Sequence, residues 1–233
     1  MREIFKQEMQ ELATGLVTMA DHVATAIEKA DQSLRERDLQ LAEEVIDADD
    51  RIDELERQID DLGISLLARQ QPVATDLRIV VSGLRLSATL ERMGDLARHV
   101  AYVARGRYPE HALTGRMRDV VSEMGAQAVK VGQQVYELLK THDLSLAAVV
   151  EAEDDVLDRL HRESFQVLLD EDESLTRQQV VDAVLLGRYL ERFGDHGVSV
   201  ARRISYLVTG DTANAVHVPM SQDQPGQTSE RLG

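Results

Sequence analysis

Four pairs of acidic residues, each spaced four apart, have the clearest capacity for chemistry in this sequence. Residues four apart lie on one face of a helix, so both carboxylates of a pair point the same way. Like charges at that spacing repel, and a cation such as Mg²⁺, Mn²⁺, Fe or Zn²⁺ would relieve the repulsion. The predicted metal ligands are Asp49 with Asp53, Glu91 with Asp95, Asp154 with Asp158, and Glu191 with Asp195.

A solvated charged surface is the simpler explanation for any one of these pairs. Among 42 Asp and Glu residues, pairs at this spacing arise by chance, and Arg92 and Arg192 stand beside two of them. The recurrence of both pairs at matched positions favours a metal site, but duplication alone would also preserve a structural charge network. The sequence leaves both interpretations open.

The histidines do not complete a recognisable catalytic site. His99 follows Asp95 by one turn and could extend the acidic line, but its counterpart is Ser199, which favours a surface or capping role. Asp158 and His161 are a single echo of the Glu-x-x-His motif of di-iron bundles. No Gly-rich phosphate loop or dinucleotide fingerprint is present, so no organic cofactor is expected. A metal-dependent phosphohydrolase that uses metal-activated water is the alternative function.

The composition restricts the class of protein. The formal net charge is −16, from 26 Lys and Arg against 42 Asp and Glu, so nucleic acid is not an expected partner. Without cysteine there is no disulfide, thiolate metal site or thiol catalysis. No apolar run is long enough to span a bilayer, and the N-terminus lacks the apolar stretch of a signal peptide. We therefore expect a cytoplasmic protein with no direct membrane insertion.

The elements that must position the acidic pairs are six long helices. Apolar residues recur at the three-and-four spacing of a buried helix face, and strand signals are missing. The apolar lines run from Met9 to Ala30, Val45 to Leu66, Ile79 to Ala104, Met117 to Leu138, Val150 to Val167, and Ala183 to Leu207. Asp38 and Asp143 are predicted N-caps, and Thr176 with Gln179 forms a predicted capping box.

The six helices form two copies of three. A shift of 105 residues places Asp49 and Asp53 on Asp154 and Asp158, and a shift of 100 superimposes Leu-Glu-Arg-x-Gly-Asp at 90–95 on the same motif at 190–195. The predicted fold is all-α, with two tandem, pseudo-symmetric three-helix bundles. The predicted units are residues 1–106, residues 107–209, and a disordered C-terminal tail at 210–233.

One turn occurs in the first copy alone. Gln-Pro-Val-Ala-Thr-Asp-Leu-Arg at 71–78 opens the third helix, with Pro72 predicted at its first turn, while the matched stretch of the second copy has no proline. A unique feature between two helices is a candidate docking edge. The predicted partner-binding residues are Pro72, Asp76 and Arg78.

Taken together, these residues resemble the PhoU family of bacterial phosphate-transport accessory and regulatory proteins. The resemblance covers roughly residues 1–208. It rests on the long first helix ending in Asp-Leu-x-Leu-Ala-x-x-Val-Ile-x-x-Asp at 38–49, the Pro72 turn, the twice-occurring Glu-Arg-x-Gly-Asp, and the duplication of a three-helix unit.

The resemblance implies a role rather than a reaction. Family members link the phosphate ABC transporter to a phosphate-sensing histidine kinase and keep the phosphate-starvation response off when phosphate is plentiful. Some hold iron or zinc at acidic motifs that match the four pairs above, and members are usually homodimers. The resemblance thus implies a non-catalytic, cytoplasmic regulator that is peripheral at the inner membrane through its partners.

The chain departs from the family pattern at two positions. Many members have Asn four residues after the Gly-Asp aspartate, where His99 and Ser199 stand here. The resemblance therefore does not extend to the details of metal ligation.

Overall fold

The chain folds into six α-helices. The structure is a computed structural model that describes residues 2–210, and within them it contains no strand. The helices are α1 (Arg2–Glu36), α2 (Leu39–Gln70), α3 (Ala74–Arg107), α4 (Gly115–Thr141), α5 (Leu144–Leu168) and α6 (Arg177–Thr209). The prediction of an all-α protein with six long helices is confirmed. Of the predicted tail at 210–233, all but Gly210 lies outside the described residues.

Side-chain caps fix where three of the helices begin. The Asp38 carboxylate accepts a hydrogen bond from the Leu41 N–H at 3.1 Å, and Asp143 accepts one from Ser145 at 2.8 Å. Thr176 and Gln179 form the reciprocal capping box that starts α6. Each cap satisfies a backbone N–H that has no partner inside its helix, and all three predictions are confirmed.

Pro72 lies just outside α3, so its predicted place in the first turn of that helix is wrong. Gln71 ends α2 in the left-handed conformation, with φ 46°, and Val73 is the extended N-cap residue of α3. The chain therefore needs three residues to reverse direction, and Pro72 stiffens the middle of this connection.

Four helices form a central ring, with one further helix on each side. Around the ring, α1 packs against α3, α3 against α6, α6 against α4, and α4 against α1. Helix α2 packs on α1 and α3, and α5 packs on α4 and α6. Each sequence repeat supplies three mutually packed helices, and their buried apolar residues join in one continuous core.

The two repeats are joined by more than the connection at 108–114. At one end of the α3–α6 contact, the guanidinium of Arg107 donates to both carboxylate oxygens of Asp182, at 2.5 and 3.0 Å, and Asp182 is only 2% exposed. Gln178 donates to the same carboxylate at 3.0 Å. Because α1 also packs on α4, the predicted boundary at 106/107 lies between sequence repeats that share one core. The division into two domains there remains a prediction.

The described part of the chain contains no helix that could span a membrane. Within residues 2–210, no helix combines the length and the apolar composition that crossing a bilayer requires.

Candidate functional site

The predicted acidic pairs come together where α2 packs on α3 and where α5 packs on α6. Gly94 and Gly194 allow this approach. A methyl group on Gly94 would lie 2.8 Å from Ile52 Cδ1 and 3.4 Å from the Asp49 carboxylate, and one on Gly194 would lie 2.6 Å from Leu157 Cδ1. The glycine of Glu-Arg-x-Gly-Asp therefore brings the facing helix close enough for its acidic pair to meet the Glu and Asp of the motif.

The first cluster, formed by Asp49, Asp53, Glu91 and Asp95, has a cation of its own. Arg98 donates one guanidinium nitrogen to the Asp49 carboxylate on α2 and another to Asp95, one turn away on its own helix. Asp49 is almost fully buried, at 3% exposure, while Arg98 is about one-quarter exposed. The guanidinium thus lies between two of the predicted metal ligands.

Burial has the largest effect on the pKa values of Asp49 and Glu91 in the first cluster. It raises the pKa of Asp49 from 3.8 to about 6, although the charge of Arg98 acts in the opposite direction. Burial also raises the pKa of Glu91 to about 7, and the neighbouring Asp95 adds to this effect. These carboxyl groups keep protons to a higher pH than exposed ones because their charged forms are poorly solvated.

The second cluster, formed by Asp154, Asp158, Glu191 and Asp195, lacks the equivalent arginine, since Val198 occupies the position that matches Arg98. Burial raises the pKa of Asp154 to about 6, with further contributions from Asp195 and Asp158. Burial raises the pKa of Asp195 as well. The two clusters therefore contain the same types of acid, but the second has no arginine at the position of Arg98.

Arginine neighbours of the second cluster engage acids at its edges. Arg188 holds both oxygens of Glu191 at 2.9 and 2.7 Å, and burial nevertheless raises the pKa of Glu191. Arg202 donates to Glu151 at 3.3 Å and is the arginine whose charge lowers the pKa of Asp154.

The carboxylates have the chemistry for a hard or borderline cation, but the structure does not show them gathered around one point. Across residues 2–210, no three His, Asp or Glu side chains converge as a metal ion requires. In the first cluster, a metal would also have to displace the Arg98 guanidinium. The described residues therefore show no preassembled metal site, and metal binding at the eight predicted ligands stays a prediction.

The histidine next to the first cluster faces away from it. The ring of His99 stacks on Tyr189 of α6, with centroids 5.0 Å apart. His99 therefore belongs to the contact between the repeats and does not extend the acidic line. The sequence analysis missed Arg98, although the contrast between Arg98 and Val198 at matched positions was a visible signal.

The three predicted partner-binding residues differ in exposure. Asp76 is exposed beside an apolar groove, and Pro72 lies in the adjoining connection. Arg78 is half-buried, with its guanidinium 5.6 Å from the ring centroid of Tyr206. Asp76 is thus accessible from solvent, whereas Arg78 packs α3 against the end of α6.

Comparison with known proteins places these features in a family. The PhoU domain matches residues 16–104 and 121–204, one match for each repeat. A protein of Mycobacterium tuberculosis, named phosphate-specific transport system accessory protein PhoU homolog 2, is 41% identical over 210 residues, covering 90% of this chain and 99% of that protein. A PhoU homolog of Pseudomonas aeruginosa is 32% identical, covering 88% of this chain and 86% of that protein.

Two solved structures share the fold. The crystal structure of PhoU from Pseudomonas aeruginosa has a TM-score of 0.78 and 31% identity, covering 89% of this chain and all of that one. PhoU from Streptococcus pneumoniae, described as a phosphate transport system regulatory protein, has a TM-score of 0.80 and covers 92% of this chain and all of that one; at 24% identity it supports the fold alone.

The names of the curated relatives describe accessory proteins of phosphate transport, which confirms the prediction of a non-catalytic protein. The two domain matches cover most of the chain and follow its two repeats. This chain is a member of the PhoU family.

Proposed function

We propose that this chain is a cytoplasmic, non-catalytic regulator of phosphate uptake and homeostasis. It contacts the phosphate ABC transporter and a phosphate-sensing histidine kinase, and it keeps the phosphate-starvation response off when phosphate is plentiful. The observation that carries the proposal is the match over nearly the full length of relatives named phosphate-specific transport system accessory proteins.

The connection between α2 and α3 is the proposed docking edge for these partners. Val73 is 74% exposed and Leu77 is also exposed, so two apolar side chains face solvent beside the charged Asp76. Interfaces combine such apolar contacts with a charged rim that sets specificity. The connection between α5 and α6 differs, because it carries Asp170, Glu171, Asp172 and Glu173.

An apolar groove beside this connection enlarges the docking edge. It is lined by Phe5 and Met9 of α1, Ile79 of α3 and Leu207 of α6, and Asp76 lies at the same opening. The groove lies where α1 and α3 begin and α6 ends. A partner segment that covered Val73 and Leu77 would have this groove next to it.

Co-purification tests the docking edge. The full chain and an Asp76→Lys variant are expressed in cells grown in phosphate-rich medium, and co-purifying proteins are identified by mass spectrometry. We expect the parent to retain the transporter and the histidine kinase and Asp76→Lys to lose them. Asp172→Lys, an equally exposed reversal in the other connection, is the matched control and should retain both.

Two results would contradict the docking proposal. One is equal recovery of both partners with the parent and with Asp76→Lys. The other is an equal loss with Asp172→Lys, which would indicate a general effect of charge. Sedimentation of the purified parent tests the accompanying proposal that the chain is a homodimer.

A further inference from the structure

A cationic surface runs along the contact between α3 and α6, in a chain whose net charge is −16. We call it the cationic seam. It consists of Arg78, Arg85 and Arg92 of α3 and His196, Arg192 and Arg203 of α6. The three α3 arginines are spaced seven residues apart, so they line one face over roughly 21 Å at ~1.5 Å per residue.

The pairing of the two helices shows that these side chains share a face. His99 of α3 stacks on Tyr189 of α6. Seven residues before His99 is Arg92, and seven residues after Tyr189 is His196, whose pKa the charge of Arg92 affects. Another seven residues along, the charge of Arg85 acts on Arg203. The helices are thus antiparallel in a fixed register, and the arginines lie on both sides of one line.

Most seam arginines lack the ion pairs that Arg98 and Arg188 form with carboxylates of the acidic clusters. Within residues 2–210, Arg85, Arg192 and Arg203 form no ion pair with a carboxylate, and Arg92 has only its neighbour Glu91, at 3.5 Å. The acids of residues 78–92 and 192–210 are Glu91 and Asp195. Both belong to the acidic clusters.

Several polar atoms along this contact lack hydrogen-bond partners. Nε of Arg78 and Nε2 of His196 are both buried and unpaired. Burial lowers the pKa of His196, and the nearby charges of Arg192 and Arg92 add to this effect. The residues of Glu-Arg-x-Gly-Asp therefore point to two different surfaces. The Glu and Asp belong to an acidic cluster, whereas the Arg, at 92 and 192, lies near His196 on the seam.

We infer that the cationic seam is a docking surface for an acidic, amphipathic helical segment of a partner protein. A free phosphate ion is too small to bridge arginines spread over this length. An anionic membrane or nucleic acid is an extended polyanion that would meet the repulsive field of the whole chain. A single acidic helix bound on the seam interacts mainly with the seam arginines. Acids elsewhere on the chain are screened from it beyond about 8–10 Å at physiological ionic strength.

The far end of the same face supplies the apolar half of the surface. Val181 and Leu185 are exposed and precede Arg192 by eleven and seven residues, so they lie on its face of α6. Tyr102 of α3 is 40% exposed, and the antiparallel register that pairs His99 with Tyr189 places it opposite this part of α6. Arginine and tyrosine are the residues that most often dominate binding at protein interfaces, and no lysine lies in this surface.

A designed peptide tests the inference. The probe is a fluorescein-labelled, alanine-based helix with Glu at every seventh position and leucines at one end, and the control peptide has Lys in place of each Glu. Binding to the full chain is measured by fluorescence anisotropy. We expect the Glu peptide to bind, the Lys peptide not to bind, and the affinity to fall as salt is raised.

Charge reversal locates the binding. Arg92→Glu with Arg192→Glu should weaken binding of the Glu peptide by about tenfold or more. Arg57→Glu with Arg162→Glu is the matched control, because both residues are exposed, lie on α2 and α5, and give the same change in net charge. Since Arg92 and Arg192 are exposed, circular dichroism should show all variants folded; Arg92→Gln with Arg192→Gln provides a milder version.

Several outcomes would overturn the inference. They are equal binding by the seam variant and its control, equal binding of the Lys peptide, and seam-dependent binding of inorganic phosphate or of phosphatidylglycerol vesicles. A change of oligomeric state in the seam variant alone would assign the surface to a second copy of the chain instead.

The inference rests on the proposed function only in assuming that the chain works through protein contacts. The two can fail separately. Failure of the parent chain to bind the Glu peptide, with intact repression of phosphate-uptake genes, would overturn the seam and leave the function. Seam-dependent peptide binding without repression of those genes would overturn the function and leave the seam.

Discussion

Arg98 of α3 donates a charged hydrogen bond to Asp49 of α2 and so places a guanidinium inside the acidic cluster of the first repeat. The matched position of the second repeat is Val198. The two clusters therefore contain the same types of acid, but only the first has an arginine at this position.

Arg98→Ala should increase the affinity of the first cluster for Mn²⁺. The guanidinium competes with a metal for Asp49 and Asp95, and its removal leaves carboxylates that repel one another. We expect titration calorimetry to show binding that is tighter by about tenfold or more, equivalent to about 1.4 kcal/mol. The gain should vanish when Asp95→Asn is added, and Arg92→Ala should show none. An unchanged affinity in Arg98→Ala would contradict the competition.

Asp154→Asn should stabilise the protein relative to the parent at neutral pH. The pKa of Asp154 is raised from 3.8 to about 6, so the folded state binds more protons than the unfolded state between these values. The contribution of Asp154 to stability is therefore present at low pH and is lost as pH rises through about 6. The free energy of unfolding of Asp154→Asn, minus that of the parent, should rise across this window and then level off.

Urea unfolding at several pH values measures this difference. Asp155→Asn is the control, because Asp155 is the exposed neighbour of Asp154 and its replacement removes the same charge without removing the partly buried carboxyl group. A difference for Asp154→Asn that falls with rising pH would show that the charged form is stabilised in the folded state.

Gly197→Ala should destabilise the packing of α6 on α4. The added methyl group would lie 2.4 Å from Val131 Cγ1, a buried β-branched side chain with little freedom to move. Overpacking of this kind costs about 1–3 kcal/mol, which outweighs the gain in helix propensity. Gly106→Ala, with nothing within 4 Å of the added methyl, should be neutral or stabilising. Chemical denaturation of the two variants compares them directly, and equal stability would show that α4 and α6 can move apart freely.

Arg107→Ala should cost about 2–3 kcal/mol of stability, because it leaves the buried Asp182 carboxylate without its cation. The cost is below the ~3–5 kcal/mol of a fully buried pair, since Arg107 is about one-third exposed. Lys140→Ala removes the exposed pair with Glu137 and should cost less than about 1 kcal/mol. A single cooperative transition in the parent with a second one in Arg107→Ala would show that this contact couples the repeats. No loss of stability in Arg107→Ala would contradict its role.

The helices and the repeat were predictable because their signals are local or periodic. The buried lines recur every three or four residues, and the caps at Asp38, Asp143 and Thr176 act within three residues along the chain. The position of Pro72 was missed because the left-handed Gln71 delays α3 by a few residues, and nothing in the local pattern specifies that conformation.

The contacts between distant residues were not predictable in the same way. Arg98 meets Asp49, and Arg107 meets Asp182, only after the helices have packed in a particular register. The spacing of the acidic residues predicted which helices carry them, because spacing of four is a local signal. Which cluster holds an arginine depends on side-chain directions across the helix contact, and these follow from packing rather than from spacing.

Expression of phosphate-uptake genes in phosphate-rich medium tests the central claim most directly. A reporter for these genes is compared in the parent strain, in a strain lacking this chain, and in that strain complemented with the full chain. Regulation by this protein predicts a silent reporter in the parent, an active one in the deletion strain, and silence again on complementation. A reporter that stays silent in the deletion strain at high phosphate would contradict the claim.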